Sequence, residues 1–303
     1  MLYRIKDRLR RAHFRHECRG ILEVPPITVD SSSPAIVFSQ LPHKDFLMFL
    51  VALHSFSRYV PIKGVHLLND GSVTAEDRAL LHEHIPGLVF YELTDFRSPA
   101  CPKGGTWERL LGIAELVQDH YVIQLDSDTL AISTIDEVVK CIRNDTAFAL
   151  GTWDCQEFET MAERADQAKK IISEEDNSHI QVLAEANLDK LNGYESRRYV
   201  RGCSGFAGFA ARSFSREQVE ALSQEMYAAL GSKWNMWGSE QFTSNVMVAN
   251  SPSAVVLPHP KYCACNRVQA ATAFIHFIGS CRFNDGTYAR LARRVIGELE
   301  SRA

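Results

Sequence analysis

The sequence predicts an α/β fold with a mostly parallel central sheet flanked by helices, and three observations lead there. Short apolar runs of strand length alternate with helix-periodic segments through the first half of the chain. With 303 residues, 46% hydrophobic and 23% charged, the chain has enough apolar mass to bury a full core. One apolar run, residues 121–125, leads directly into Asp126-Ser127-Asp128, at the kind of strand terminus where open α/β sheets bind ligands.

Taken in order, residues 1–20 are basic: Arg4, Lys6, Arg8, Arg10, Arg11, Arg15 and Arg19 face only Asp7 and Glu17. Leu2, Ile5, Leu9 and Ala12 recur at helical spacing, which predicts a helix packing that stripe; docking on anionic lipid is the alternative use of the same charges. Residues 25–34, bounded by prolines, are the best linker candidate. A strand is predicted at 35–39 and a helix at 44–59, followed by a second strand at 62–68 that ends in turn residues. Thr74 is placed to cap a helix over 74–84, a third strand follows at 88–93, and a helix spans 106–117 after a Pro/Gly loop. Residues 155–192 are charge-rich and helical, an excursion from the sheet. Strands then resume at 199–210, broken by glycine, and at 254–257 and 273–277. No repeat interrupts the pattern, and one compact body is expected.

A net charge of −4 gives no general attraction to a phosphate backbone, so nucleic acid is not an expected partner. The apolar stretch 46–56 is about half the ~20 residues of a membrane-spanning helix. The N-terminus lacks the apolar core and cleavage site of a signal peptide. Eight scattered cysteines without a C-x-x-C pair read as reduced thiols in a cytoplasmic protein.

The acid pair is the chemical centre. Two carboxylates two residues apart on extended chain face one side, and like charges held together at a buried strand end repel and lose solvation. One acid must protonate or a cation must sit between them, and a hard divalent ion with oxygen ligands, Mn2+ or Mg2+, completed by substrate phosphates, fits. The bland alternative is an Asp-rich turn that caps backbone N–H groups. An aspartyl-nucleophile phosphatase also begins with such a strand, but Leu130 stands where it needs Thr or Val, and Asn284-Asp285-Gly286 does not supply its late acidic motif.

Four patches in fixed order carry a resemblance: Trp107-Glu108-Arg109-Leu110 through Asp128, Cys203-Ser204-Gly205, Glu240-Gln241-Phe242-Thr243-Ser244-Asn245, and His276-Phe277-Ile278-Gly279-Ser280-Cys281-Arg282. Together they resemble glycosyltransferase family eight, the group of glycogenin and the lipopolysaccharide galactosyltransferases. The resemblance implies a GT-A, Rossmann-like nucleotide-binding fold and a retaining, metal-dependent transfer from a nucleotide-diphosphate sugar, UDP by family habit. It implies that Asp126, Asp128 and His276 hold Mn2+ or Mg2+. Donor contacts would come from Ser39, Arg109, Asp126, Ser127, Cys203, Ser204, Gly205, Gly279 and Arg282, the reacting carbon would lie near Gln241, and Glu240 would orient sugar hydroxyls or act as base if the outcome inverts. Cys203 stands where the family has Asn, Phe242 where it has Asp, and Arg282 where it has Lys. Trp234 and Trp237 are candidates to stack on a sugar or to fill the core.

On this reading, residues 1–32 form a basic helix and linker, 33–152 the nucleotide-sugar-binding α/β part, and 153–303 the acceptor-side part. The acceptor, whether glycan, lipid-linked or protein, has no motif. The contrasting expectation, motivated by the substituted positions, is a sugar-nucleotide-binding protein or partner subunit without turnover.

Overall fold

The computed structural model describes residues 2–172 and 178–301. Its strands are β1 (Ala35–Leu41), β2 (Gly64–Asn69), β3 (Val89–Glu92), β4 (Tyr121–Leu125), β5 (Thr129–Ala131), β6 (Phe148–Gly151), β7 (Glu159–Thr160), β8 (Arg198–Tyr199), β9 (Gly202–Phe209), β10 (Val255–Val256), β11 (Tyr262–Ala264) and β12 (Phe274–His276). The α-helices are α1 (Leu2–Glu17), α2 (Phe46–Ser57), α3 (Ala75–His84), α4 (Trp107–Leu116), α5 (Asp136–Arg143), α6 (Met161–Ile171), α7 (Ile180–Glu185), α8 (Arg216–Leu230), α9 (Ser239–Ala249) and α10 (Thr287–Glu300). Seven strands form the main sheet in the order β10-β6-β9-β4-β1-β2-β3, and β11-β12-β5 form a smaller one. The α/β prediction therefore holds, and the pairs β1/β2 and β6/β10 are parallel while β6/β9 is antiparallel.

The expected single body resolves into two compact units with interleaved segments: Met1–Tyr91, Gln124–Val139 and His259–Ala303 in the first, Glu92–Ile123 and Lys140–Pro258 in the second. In the first unit α2 is buried almost all round, consistent with its unbroken apolar sequence. Helix α3 begins as predicted, with Thr74 and Asp77 capping each other's backbone N–H groups. Residues 25–34 are tied down rather than free, the N–H groups of Ile27 and Asp30 donating to the carbonyls of His84 (3.0 Å) and Ile62 (2.8 Å).

Two expectations are corrected in this unit. The described part of the predicted α1 stripe is not buried: Leu9 is 65% exposed and Ala12 is exposed, while Phe14 on α1 and Cys18 just beyond it are buried. An aromatic side chain buries more area than Leu9 or Ala12, and Phe14 packs its ring 4.5 Å from that of Tyr288 on α10. The side chains of Leu2, Arg4, Ile5 and Lys6 lie outside the described residues. The cysteines are not all reduced either: Cys265 and Cys281, 6.2 Å apart between Cα atoms, are joined as a disulfide, a separation that allows the bridge.

In the second unit Phe148 of β6 meets Phe206 of β9 at 5.0 Å between ring centroids, and buried Trp234 lies between Trp107 and Phe242 at 5.8 Å from each. The helical excursion contains α6 and α7 as expected, but also β7, which pairs antiparallel with β8. No described helix is long and apolar enough to cross a membrane.

Buried His54 on α2 gives the first unit a measurable pH response. Burial, reinforced by His84 with its ring centroid 5.4 Å away, pushes the His54 imidazole down to about 4 from its ordinary 6.5. Because the folded state favours the neutral ring, this contribution is complete above pH 6.5 and is lost as the pH falls from 6.5 toward 4; the interval corresponds to roughly 3 kcal/mol. Urea unfolding at pH 7.5 and 4.5 should show a loss of that order, and His54→Gln should flatten the dependence. Equal pH slopes for the two proteins would contradict the assignment.

Candidate metal and donor site

The first unit gathers Ser39, Asp126, Ser127, Asp128, His276, Gly279 and Arg282. The acids do not continue the strand as extended chain. Strand β4 ends at Leu125, and the Thr129 N–H (3.2 Å) and hydroxyl (2.8 Å) both donate to the Asp126 carbonyl, closing a turn that holds the two acids. Asp126 and Ser127 are half-buried, whereas Asp128 is buried.

The imidazole reaches the same place through backbone pairing. Strand β12 runs antiparallel to β5 with His276 opposite Thr129, and the Phe277 N–H donates to the Asp128 carbonyl at 2.8 Å. His276 Nε2 lies 3.2 Å from Asp128 Oδ1, and Arg282 Nη2 is ion-paired with Asp128 Oδ2. Burial opposes ionisation of Asp128, but the charges and hydrogen bonds of His276 and Arg282 prevail and hold its carboxyl at about 2. The conflict expected of paired acids is thus relieved by side chains of the chain itself.

The donor set fits a divalent ion. One ligand atom each from Asp126, Asp128 and His276 lies within 4.8 Å of the others. An octahedral ion with bonds of about 2.1 Å spaces its donors about 3 Å (neighbouring) to 4.2 Å (opposite) apart, so a small contraction completes the set. Two carboxylates and one imidazole suit Mn2+ and Mg2+ class ions. Nearby Asp45, unnoticed in the sequence, is buried, and burial pushes its carboxyl up against the lowering influence of Arg282, Lys44 and Arg11.

Other predicted residues of this unit are placed differently. Ser39 is buried and donates its hydroxyl to the Leu125 carbonyl, so it braces β1 against the end of β4. The Ser127 carbonyl accepts from the Tyr288 hydroxyl at 3.2 Å. Gly279 has φ +35° with open space where a Cβ would sit.

The second unit gathers Arg109, Cys203, Ser204, Gly205, Glu240 and Gln241. Arg109 is buried rather than a solvated helix charge, with Nη2 3.6 Å from Glu240 Oε1 and 3.5 Å from the Ser204 carbonyl. Glu240 is 1% exposed and also accepts from the Thr106 hydroxyl at 2.9 Å. Gln241 is half-buried and accepts from the Ser204 N–H at 3.2 Å and its hydroxyl at 3.3 Å. Cys203 is half-buried and Gly205 buried on β9. Asn245 donates to the Gly202 carbonyl at 3.1 Å, tying α9 to β9, and Phe242 fills the core against Tyr199 (5.4 Å) and Trp234. Trp234 is core, whereas Trp237 is 72% exposed.

The fold is that of the GT-A glycosyltransferases. A bifunctional glycosyltransferase, WbbM, in its apo form matches with a TM-score of 0.50 and 13% identity over 91% of this chain and 53% of that one. This chain therefore spans about half the WbbM length. Mouse xyloside xylosyltransferase 1 in its apo form matches with a TM-score of 0.47 and 14% identity, covering 82% of this chain and 98% of that one. The galactosyltransferase LgtC, in complex with donor and acceptor sugar analogues, matches at 0.43 and 14% identity over 88% of this chain and 96% of that one. The fold assignment rests on the first. No family model and no curated protein sequence matches the chain.

Because Arg282 and a divalent ion need the same Asp128 carboxylate, Arg282→Gln should bind Mn2+ without nucleotide about three- to tenfold more tightly than the unsubstituted protein. Asp128→Asn should bind it at least tenfold more weakly. Titration followed by electron paramagnetic resonance distinguishes these; weaker binding by Arg282→Gln would contradict the competition.

Proposed function

We propose that this protein is a metal-dependent glycosyltransferase, a hexosyltransferase that moves a sugar from a UDP-linked donor to an acceptor hydroxyl with retention at the anomeric carbon. The observation that carries the reading is the convergence of Asp126, Asp128 and His276 from distant chain segments within an α/β fold shared with WbbM. Bound there, Mn2+ or Mg2+ would neutralise the negative charge that develops on the departing diphosphate.

The remaining roles belong to side chains. Arg282, released from Asp128, supplies positive charge to the diphosphate, and its planar fork suits two phosphate oxygens better than the lysine it replaces. Arg109 helps to hold the nucleotide sugar, and Glu240 keeps Arg109 in place. A base for an inverting reaction must reach the acceptor hydroxyl, and a carboxylate 1% exposed and already engaged by Arg109 and Thr106 is poorly suited to that, which supports retention. The family resemblance assigns Gln241 and Ser204 to the reacting sugar, and Cys203, Gly205, Ser127 and Gly279 to donor contacts. Exposed Trp237, four residues before Gln241, offers a face for an acceptor sugar.

Helix α1 supports a peripheral contact with anionic membrane, because Leu9 and Ala12 are exposed among Arg8, Arg15 and Arg19. Co-sedimentation with phosphatidylserine vesicles should fall several-fold for the combined Arg8, Arg15 and Arg19 to Glu substitution. Absence of binding by the unsubstituted protein would exclude the contact.

Thermal unfolding with a panel of nucleoside diphosphates should show the largest rise with UDP, and only with Mn2+ present. Asp128→Ala should lose at least 100-fold in both sugar transfer and donor hydrolysis while remaining folded, since preorganised charge at a leaving group contributes several kcal/mol. Full activity in that variant would sink the assignment, as would nucleotide binding without turnover, which would leave a binding protein.

A further inference from the structure

Behind Gln241 a chain of polar side chains runs into the interior of the second unit. Gln241 Nε2 donates to Gln181 Oε1 at 2.9 Å, and Gln181 Nε2 is 3.4 Å from the Tyr199 hydroxyl oxygen. That hydroxyl donates to Glu185 Oε1 at 3.1 Å. Glu185 is 1% exposed; burial pushes its carboxyl up, while Arg201 and Arg164, 3.6 and 3.9 Å away, draw it down. Gln181 and Tyr199 are also buried.

The chain has a direction. Tyr199 donates to the Glu185 carboxyl, which faces Arg201 and Arg164, and the Tyr199 oxygen accepts from the Gln181 amide nitrogen. Gln181 then presents its oxygen to Gln241, which must present nitrogen. The orientation of an amide is read from such a network rather than from its shape, and here the contacts with Tyr199 and the arginine-faced Glu185 set it for both glutamines. At the far end of Gln241, Oε1 already accepts two hydrogen bonds, from the N–H and the hydroxyl of Ser204. Both of its lone pairs are engaged, and Nε2 keeps one hydrogen beyond the one given to Gln181.

We propose that Gln181 is a positioning residue that, backed by Tyr199 and Glu185, locks the Gln241 amide with its oxygen occupied and one N–H left as a donor toward the sugar. The proposal rests on the glycosyltransferase reading and deepens it: Gln241 serves by donating a hydrogen bond to an oxygen of the reacting sugar or its leaving group, and its carbonyl oxygen is not the group that attacks the anomeric carbon. Nothing in the sequence pointed to Gln181, because its neighbours read as surface.

The test uses Gln181→Met, which keeps the length and removes both hydrogen bonds, and Gln181→Glu, which keeps an acceptor facing Gln241. With donor hydrolysis and transfer measured in Mn2+, Gln181→Met should lower kcat about tenfold with the donor KM within twofold. Gln181→Glu should recover at least half of that loss on a logarithmic scale. An unchanged kcat, or a loss confined to KM, overturns the proposal. Side-chain amide NMR supplies a readout free of turnover: the Gln241 amide pair, assigned from its disappearance in Gln241→Glu, should shift and exchange faster in Gln181→Met. If the unsubstituted protein turns over no nucleotide sugar, the functional reading fails, and the amide spectrum alone then decides on the locking. An amide pair unmoved by Gln181→Met overturns it.

Discussion

The Asp128 carboxylate is the point on which the first unit depends. At 3% exposure it has surrendered its water, and an uncompensated charge in that position would be prohibitive. His276 and Arg282 supply the compensation, both from the C-terminal segment. The pairing of β12 with β5 and the Phe277 to Asp128 backbone bond deliver the imidazole to that depth, so strand register and ion pairing reinforce one another. Removing one partner from such a cluster typically costs about 3–5 kcal/mol, because the other charge stays buried. An incoming cation meets a site whose negative charge is already spoken for, which makes metal capture an exchange rather than a simple addition.

The second unit solves a similar problem with neutral donors. Its Gln241–Gln181–Tyr199–Glu185 chain satisfies each buried polar group through the next, and only the last member carries a charge, faced by Arg201 and Arg164. Phe242 sits beside this chain on α9 and points into an aromatic cluster with Tyr199 and Trp234. Its apolar character, which looked in the sequence like a departure from an acidic motif, matches a position with 0% exposure where an unpaired carboxylate would be costly.

What could be read in advance follows from where the information lies. Strands β1, β2 and β4 were legible because their apolar runs are local, and α3 because Thr74 precedes a helix-periodic run as a cap residue, while the answering Asp77 emerged only in the structure. Strand β6 and the two-residue β7 were missed, and the start of the expected strand 199–210 is the separate β8; β7 and β8 exist only through tertiary pairing. Leu9 and Ala12 of α1 were expected inward and are exposed, whereas Phe14 and the following Cys18 are buried, because periodicity alone does not choose between stripes. At the site, the acids, His276 and Arg282 stood out as motif residues, but the turn that takes the acids off the strand is a local hydrogen-bond choice the motif does not announce, and the grip of Arg282 on Asp128 is a contact across distant segments. Gln181 was hidden because a charge-rich stretch carries no mark of which of its polar residues face inward, and the Cys265–Cys281 bridge because cysteine spacing does not reveal proximity.

The interleaving of the two units has a consequence for how the chain comes into being. Asp126 and Asp128 leave the ribosome long before His276 and Arg282, and at ~5–20 residues per second the delay is on the order of ten to thirty seconds. During that interval Lys140–Pro258 is itself being made, so the second unit is completed before the first receives its segment His259–Ala303. The nascent chain must therefore keep its acid turn hydrated until the final stretch arrives, and a premature stop codon after Pro258 would strand those carboxylates with neither imidazole nor guanidinium to receive them.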